Sequence, residues 1–167
     1  LLQSSNVVFD SCTIKNARDY VYAYGLGSST GTNNQIRNCT FENNQRSILH
    51  TTEEVDGWVV SDNRIISSPG QYGIILVSGG DNHIISRNTV TGGAWSIHVQ
   101  GEASNINISG NNISGYADGS FGWGIYVEAT GNADNYIITD NVVSDPAADF
   151  DGYELGWQGN PQNILIA

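Results

Sequence analysis

The chain repeats one arrangement of apolar and polar positions along almost its whole length. Ile108, Asn111 and Ile113 define the unit, in which an asparagine lies three residues after one apolar residue and two before another. Successive copies lie 23 to 30 residues apart, a period that is typical of solenoid proteins. The central position of the copies is occupied by Cys12, Cys39, Asn63, Asn88, Asn111 and Asn141.

Two further features keep the same register. A column of turn residues lies three positions before the first apolar residue of each copy: Asn6, Asn33, Gly57, Asn82, Asn105, Asn135 and Asn163. A strand-like unit of the form small-apolar-x-apolar also recurs: Ser47–His50, Gly73–Leu76, Ser96–Val99, Gly124–Val127 and Gly152–Leu155, with Tyr20–Ala23 as the expected first copy. Short strands of period two that alternate with Asn and Gly turns predict one coil of a parallel β-solenoid per repeat.

Stacking of such coils, about 4.8 Å apart, places equivalent residues in columns. One column is predicted to face the core and contains Phe9, Ile36, Val60, Ile85, Ile108 and Ile138. The stacked asparagine amides can then bond from coil to coil, which explains why asparagine recurs where the chain bends. A leucine-rich repeat is the alternative, but it needs a helical or 3₁₀ return rich in leucine, and here the return is strand-like and leucine is scarce.

These columns resemble the repeats of the pectate lyase-like superfamily, from Asn6 to Ile166. The resemblance implies an all-β, right-handed single-stranded parallel β-helix of about six coils, secreted or at the cell surface. The superfamily includes polysaccharide lyases, hydrolases, epimerases, tailspikes and carbohydrate-binding proteins, so the fold does not decide whether the chain is an enzyme.

The ends and the charge of the chain suggest what it contacts. Residues 1–167 are predicted to form a single domain with uncapped ends, a fragment of a longer chain or one that self-associates through its open ends. The chain has 6 basic and 17 acidic residues, a net charge of −11, which argues against nucleic acid as a partner. It has no apolar run of 18 residues, so no membrane insertion is expected.

The outward face of the recurring strand-like unit offers the best candidate site. Aromatic side chains beside carboxylates and amides suit sugar rings, which stack through their C–H faces and need hydrogen-bond partners for their hydroxyls. Glu128 and Glu154 are predicted on adjacent coils and adjacent columns, which could place two carboxylates within reach of one glycosidic bond, as an acid/base pair requires. Two adjacent outward columns are predicted, one with His98, Tyr126 and Glu154 and the next with Tyr24, Gln100 and Glu128. Predicted catalytic residues are His98, Tyr126, Glu128 and Glu154; predicted substrate-binding residues are Tyr22, Tyr24, Trp95, Gln100 and Trp123.

Other polar residues are interpreted structurally. Asp10 with Arg37, Lys15 with Glu42 and Asp62 with Arg87 are expected to pair between coils, which leaves few cations for a lyase. His50 is expected in the core, and His83 outward in a turn. No cofactor is expected, although Asp145, Asp149, Asp151 and Glu154 could supply oxygen ligands for Ca²⁺.

Cys12 and Cys39 occupy the asparagine position of consecutive coils. Two free thiols are the favoured interpretation, and a disulfide is the alternative, because stacked positions lie within the Cα separation that a disulfide allows. A metal site is disfavoured, since no histidine or further cysteine shares the column.

Two functions remain open from sequence alone. The first is a secreted or surface β-helix that binds or processes a polysaccharide on the outward strand face. The second is a non-catalytic structural module, such as a fibre, adhesin or surface-layer segment, whose exposed aromatics pack or assemble.

Overall fold

The computed structural model describes residues 4–17, 24–28, 31–50, 56–67, 72–76, 80–115, 123–131, 133–144, 153–159 and 162–167. This part of the chain contains strands and turns and no helix. The strands are β1 Val8–Asp10, β2 Thr13–Lys15, β3 Tyr24–Ser28, β4 Gln35–Arg37, β5 Thr40–Glu42, β6 Arg46–His50, β7 Val59–Ser61, β8 Arg64–Ile66, β9 Tyr72–Leu76, β10 Ile84–Ser86, β11 Thr89–Thr91, β12 Trp95–Gly101, β13 Ile106–Ser109, β14 Asn112–Ser114, β15 Trp123–Gly131, β16 Tyr136–Thr139, β17 Val142–Ser144, β18 Tyr153–Gly159 and β19 Ile164–Ile166.

The strands form three parallel sheets, and each strand pairs with its equivalent in the next coil. The first sheet has the order β1-β4-β7-β10-β13-β16-β19, the second β2-β5-β8-β11-β14-β17 and the third β3-β6-β9-β12-β15-β18. The predicted parallel β-solenoid is therefore confirmed. The inward column is confirmed as well, because the register pairs Phe9 with Ile36 and Ile85 with Ile108, and the residues of this column lie in the core or pack against it.

The turn column has a left-handed backbone, which explains its composition. All six asparagines of the column have φ between 55° and 64°, and Gly57, which takes the same place, has φ 70°. Asparagine and glycine enter this region at the lowest cost among the residues. The backbone N–H at these positions donates to a carbonyl of the next coil, as Asn33 does to Asp56 O at 2.8 Å.

A second ladder follows the predicted Cys/Asn column inside the solenoid. The side-chain oxygen of Asn111 accepts the backbone N–H of Asn88 at 2.9 Å, and its Nδ2 donates to Ile85 O at 3.0 Å. Asn63, Asn88 and Asn141 repeat these contacts. Each amide thus satisfies buried backbone groups of its neighbours, which confirms the predicted asparagine ladder.

The core is a continuous stack of β-branched and aromatic side chains between the three sheets. Trp58, Phe41 and Tyr136 are the largest fully buried side chains, and the Tyr136 hydroxyl donates to Ala103 O at 2.6 Å. Burial raises the pKa of the Tyr136 phenol well above its usual range. The three predicted ion pairs between coils are all present on the exterior: Lys15–Glu42, Arg37–Asp10 and Arg87–Asp62.

Two expectations about this fold are wrong. The first copy of the third strand is not Tyr20–Ala23, because β3 begins at Tyr24 and pairs Leu26 with Ile48. Gly25 and Leu26 supply the small and apolar positions in place of the predicted pair. His83 does not face outward: it is fully buried, and its Nδ1 accepts the backbone N–H of Trp58 at 3.2 Å.

No helix in the described ranges has the length and hydropathy needed to span a membrane.

Candidate functional site

The candidate site lies on the outward side of the third sheet, on strands β12 and β15. The register pairs Trp95 with Trp123 and Ile97 with Ile125. Strict alternation along a strand would place Trp95 and His98, which are three residues apart, on opposite sides of the sheet. Their ring centroids nevertheless lie 4.6 Å apart, so the alternation is interrupted within β12 and both rings lie on the outward side of the sheet.

The coil before this strand has no room for a side chain at the equivalent position. A Cβ on Gly73, the equivalent of Ser96 in the preceding coil, would lie 2.4 Å from Ser96 O and 3.1 Å from Val90 Cγ1. A larger side chain would therefore collide with backbone that cannot move away.

Four rings form a contact cluster on this face, hereafter the aromatic cluster: Trp95, His98, Trp123 and Tyr126. Trp123 and Tyr126 stack with their centroids 5.0 Å apart, and Tyr126 stacks on His98 at 4.7 Å. Trp95 meets the His98 ring edge-on at 4.6 Å and lies 5.7 Å from Trp123. Trp95, Trp123 and Tyr126 remain partly exposed, so the cluster presents aromatic surface to the outside.

His98 was expected to face solvent, and that expectation is wrong. Only 2% of its surface is exposed, because Trp95 of its own strand and Tyr126 of the next coil cover the ring. Neither ring nitrogen has a hydrogen-bond partner among the residues that the structure describes. Burial lowers the pKa of His98 to about 4, so the imidazole is neutral at neutral pH.

Polar side chains continue the face beyond the aromatic cluster. Gln100 and Glu128 are paired in register on β12 and β15, and both are partly exposed. The predicted His98–Tyr126–Glu154 column is also present in the backbone register. The Glu154 side chain lies outside the described part of the structure, and the catalytic roles of all four residues remain predictions.

Tyr24 belongs to another column than expected. It was placed beside Gln100 and Glu128, but it pairs with Arg46, which places it in the column of Trp95 and Trp123. The shift of the repeat unit in β3 is the cause. Tyr22, another predicted tyrosine of the face, lies outside the described residues, as do the possible Ca²⁺ ligands Asp145, Asp149 and Asp151.

The two cysteines are free thiols that stack at the end of the asparagine ladder. The Cys39 thiol accepts the backbone N–H of Cys12 at 3.4 Å and donates to Arg37 O at 3.2 Å. The Cys12 thiol donates to Asp10 O at 3.4 Å. Because Asp10 and Arg37 are paired in register, the two sulfur atoms occupy equivalent places one coil apart. Burial raises the pKa of the Cys39 thiol.

These features define a parallel β-helix protein with an aromatic outward face. The chain belongs to the NosD family, since the family described as "Periplasmic copper-binding protein (NosD)" matches residues 1–156. That description places the family in the periplasm, which agrees at a coarse level with the predicted location outside the cytoplasm. No curated protein and no solved structure matches the chain.

The family description names copper, so the side chains that could bind a copper ion are of interest. Across the described ranges no three or more His, Cys, Asp or Glu side chains are grouped closely enough to hold a metal ion. The sequence contains no methionine, so thioether ligands are also lacking. Soft sulfur ligands that suit Cu(I) are nevertheless present as a pair, in the stacked thiols of Cys12 and Cys39.

Proposed function

We propose that this chain is a periplasmic or surface β-helix protein that binds a polysaccharide along the outward face of the third sheet. The observation that carries the proposal is the aromatic cluster, whose partly exposed Trp95 and Trp123 lie side by side on adjacent coils. Gln100 and Glu128 follow on the same face, two residues beyond His98 and Tyr126.

The chemistry of this face suits a chain of sugars. Indole and phenol rings stack on the apolar C–H faces of pyranoses, and neighbouring amide and carboxylate groups bond to hydroxyls. Coils repeat about every 4.8 Å, so successive coils can contact a long ligand at several points along the solenoid axis. We propose binding rather than catalysis. His98 is buried and neutral, and its ring nitrogens have no hydrogen bond to a carboxylate in the described part of the chain that would activate it as a base.

Affinity electrophoresis through gels that contain arabinoxylan or polygalacturonate tests this function. We expect retardation of the wild-type chain in at least one gel, and loss of retardation in Trp123→Ala and Glu128→Gln. Ile137→Ala and Glu42→Gln are matched controls, since Ile137 lies on the outward face of the first sheet and Glu42 lies on the second sheet. If both site variants migrate as wild type does, the aromatic cluster is a packing surface and the structural-module alternative takes its place.

We propose copper binding as a second function, because the family description names it and two stacked thiols favour it. The two functions use different parts of the molecule. The aromatic cluster lies on the third sheet, whereas Cys12 and Cys39 lie between the first and second sheets of the first two coils. Copper content after incubation and dialysis is therefore independent of glycan retention, and each can fail without the other.

A further inference from the structure

We propose that Cys12 and Cys39 together bind one Cu(I) ion as a two-coordinate dithiolate site at the end of the asparagine ladder. This inference rests on the proposed copper-binding function and names its site, oxidation state and ligands. It depends on how the ladder places the two sulfur atoms.

The ladder holds the two thiols in a fixed, stacked arrangement. Thr13 pairs with Thr40 directly after the cysteines, and Asp10 pairs with Arg37 two residues before them. Each sulfur bonds to the carbonyl of the residue two positions earlier, at 3.4 Å for Cys12 and 3.2 Å for Cys39. The two side chains therefore point the same way, one above the other, without any local rearrangement of the chain.

The spacing of the coils matches a linear S–Cu–S unit. Equivalent atoms of adjacent coils are about 4.8 Å apart. Metal–thiolate bonds are about 2.3 Å long, so two such bonds in line span about 4.6 Å. Cu(I) is a soft ion that prefers thiolates and accepts two-coordinate linear geometry. Zn²⁺ needs four ligands, and no group of three or more His, Cys, Asp or Glu side chains occurs in the described part of the chain.

Burial disfavours the free thiolate of Cys39, but the backbone around the sulfur offers one donor that would stabilise it once metal is bound. The N–H of Cys12 already points at the Cys39 sulfur at 3.4 Å, and an N–H donor favours the charged form of an acceptor. Arg37 O, which accepts the Cys39 thiol, also accepts the N–H of Ser11 at 3.2 Å, so this carbonyl keeps a partner when the thiol proton leaves. Cys12 is partly exposed, which leaves a route for the ion into the pair.

The binding step balances without an oxidant or a reductant. One Cu⁺ ion displaces the two thiol protons, so two S–H bonds break, two Cu–S bonds form, and both protons go to solvent. The product carries one negative charge, and no electron is transferred.

Cys39→Asn is the sharpest test variant, because asparagine occupies the same position in the next four coils. The Asn63 Oδ1 accepts the N–H of Cys39, and its Nδ2 donates to Ile36 O; the introduced amide would make the equivalent bonds to Cys12 N and Phe9 O. The Cys39 thiol already lies 3.7 Å from Phe9 O. This variant should therefore fold as wild type does while it removes one of the two copper ligands.

The experiment is an anaerobic titration of the chain with Cu(I) held by a chromophoric chelator. We expect wild type to withdraw one Cu(I) per chain, with X-ray absorption showing two sulfur neighbours. Cys39→Asn and Cys12→Ser should weaken binding by more than about 100-fold, since even changes outside the ligand sphere cost about 10–100-fold. Their far-UV circular dichroism and Tm should match wild type.

Three outcomes would overturn the proposal, and they differ in meaning. If the double variant Cys12→Ser/Cys39→Asn takes up Cu(I) as wild type does, the chain binds copper elsewhere and only the site is refuted. If wild type with two titratable thiols takes up no Cu(I), the copper-binding function itself fails. A chain that is isolated from an oxidising compartment with a Cys12–Cys39 disulfide in place of thiols also contradicts the site.

Discussion

Single residues of the ladder carry much of the specificity of this fold. A ladder asparagine uses its oxygen and its nitrogen at once, so it satisfies buried backbone groups in two neighbouring coils. Asn88, Asn111 and Asn63 are nearly inaccessible to solvent, and no water can replace these bonds without opening the solenoid. The recurrence of asparagine in the sequence is the direct consequence.

Replacement of Asn111 by alanine should therefore lower the free energy of unfolding by about 2–6 kcal/mol, since about two buried backbone groups lose a partner at about 1–3 kcal/mol each. The groups that lose a partner are Asn88 N–H and Ile85 O. Ser109→Ala, on the adjacent strand, should change it by less than about 0.5 kcal/mol. Urea denaturation measures both, and equal losses would contradict the ladder assignment.

His98 is expected to make stability depend on pH. Its pKa is about 4 in the folded chain and about 6.5 when unfolded, so the unfolded state binds more protons between these values. The stabilising effect of the neutral ring is complete above pH 6.5 and is lost as the pH falls towards 4, by about 3 kcal/mol in all.

His98→Phe keeps the ring contacts and removes the titration, so it isolates this effect. As the pH falls from 7 to 4, the free energy of unfolding should decrease more for wild type than for the variant. Parallel stability curves over this range would show that the ring is accessible to solvent in the folded chain.

At the scale of the elements, the turn column and the strands make opposite demands. Asn105 has φ 59°, where a β-branched residue is strained, and its Oδ1 accepts the amide of Asn135 at 2.9 Å. Asn107 lies two residues later in β13, in a column between Ile84 and Ile137. Its Oδ1 is buried and has no hydrogen-bond partner within the described ranges.

The same substitution should therefore have opposite signs at these two positions. Asn105→Val should lower the free energy of unfolding by about 1–2 kcal/mol through left-handed strain. Asn107→Val should raise it by about 0.5–1 kcal/mol, because valine suits a strand and the unsatisfied oxygen is removed. Thermal unfolding of both variants measures this, and a loss of stability at Asn107 would show that its amide is needed.

The strand elements were predictable where the repeat is strong and not where it is weak. Ser96–Val99 and Gly124–Val127 fit the small-apolar-x-apolar unit at every position, and their register is as expected. In the first coil Ser28 occupies the last position of the unit, where an apolar residue is expected, so Gly25–Ser28 does not match the pattern. The preceding segment Tyr20–Ala23 matches the pattern better, and it was therefore predicted instead. The sequence pattern alone cannot decide which of two nearby segments forms the strand, because the register is set by pairing with the strand of the neighbouring coil.

At the scale of the whole molecule, the sequence predicted the solenoid and the columns but not what covers each side chain. His98 alternates outward as expected, yet large rings from two coils bury it. The burial of His83 could have been predicted, since its column follows the turn asparagines and also contains Trp58, Ile106 and Tyr136. Comparing the residues that directly follow the turn column in each coil would have revealed this mostly apolar column.

The central proposal, a glycan-binding face on the third sheet, is most directly tested through the indole N–H signals of the four tryptophans in a ¹H–¹⁵N spectrum. Trp→Phe variants assign the signals, and the polysaccharide fragment that is retained in affinity gels serves as titrant. The signals of Trp95 and Trp123 should shift with a common saturation curve, while the chemical shift of the fully buried Trp58 should not change. A saturable titration that leaves Trp95 and Trp123 unshifted would contradict the proposal.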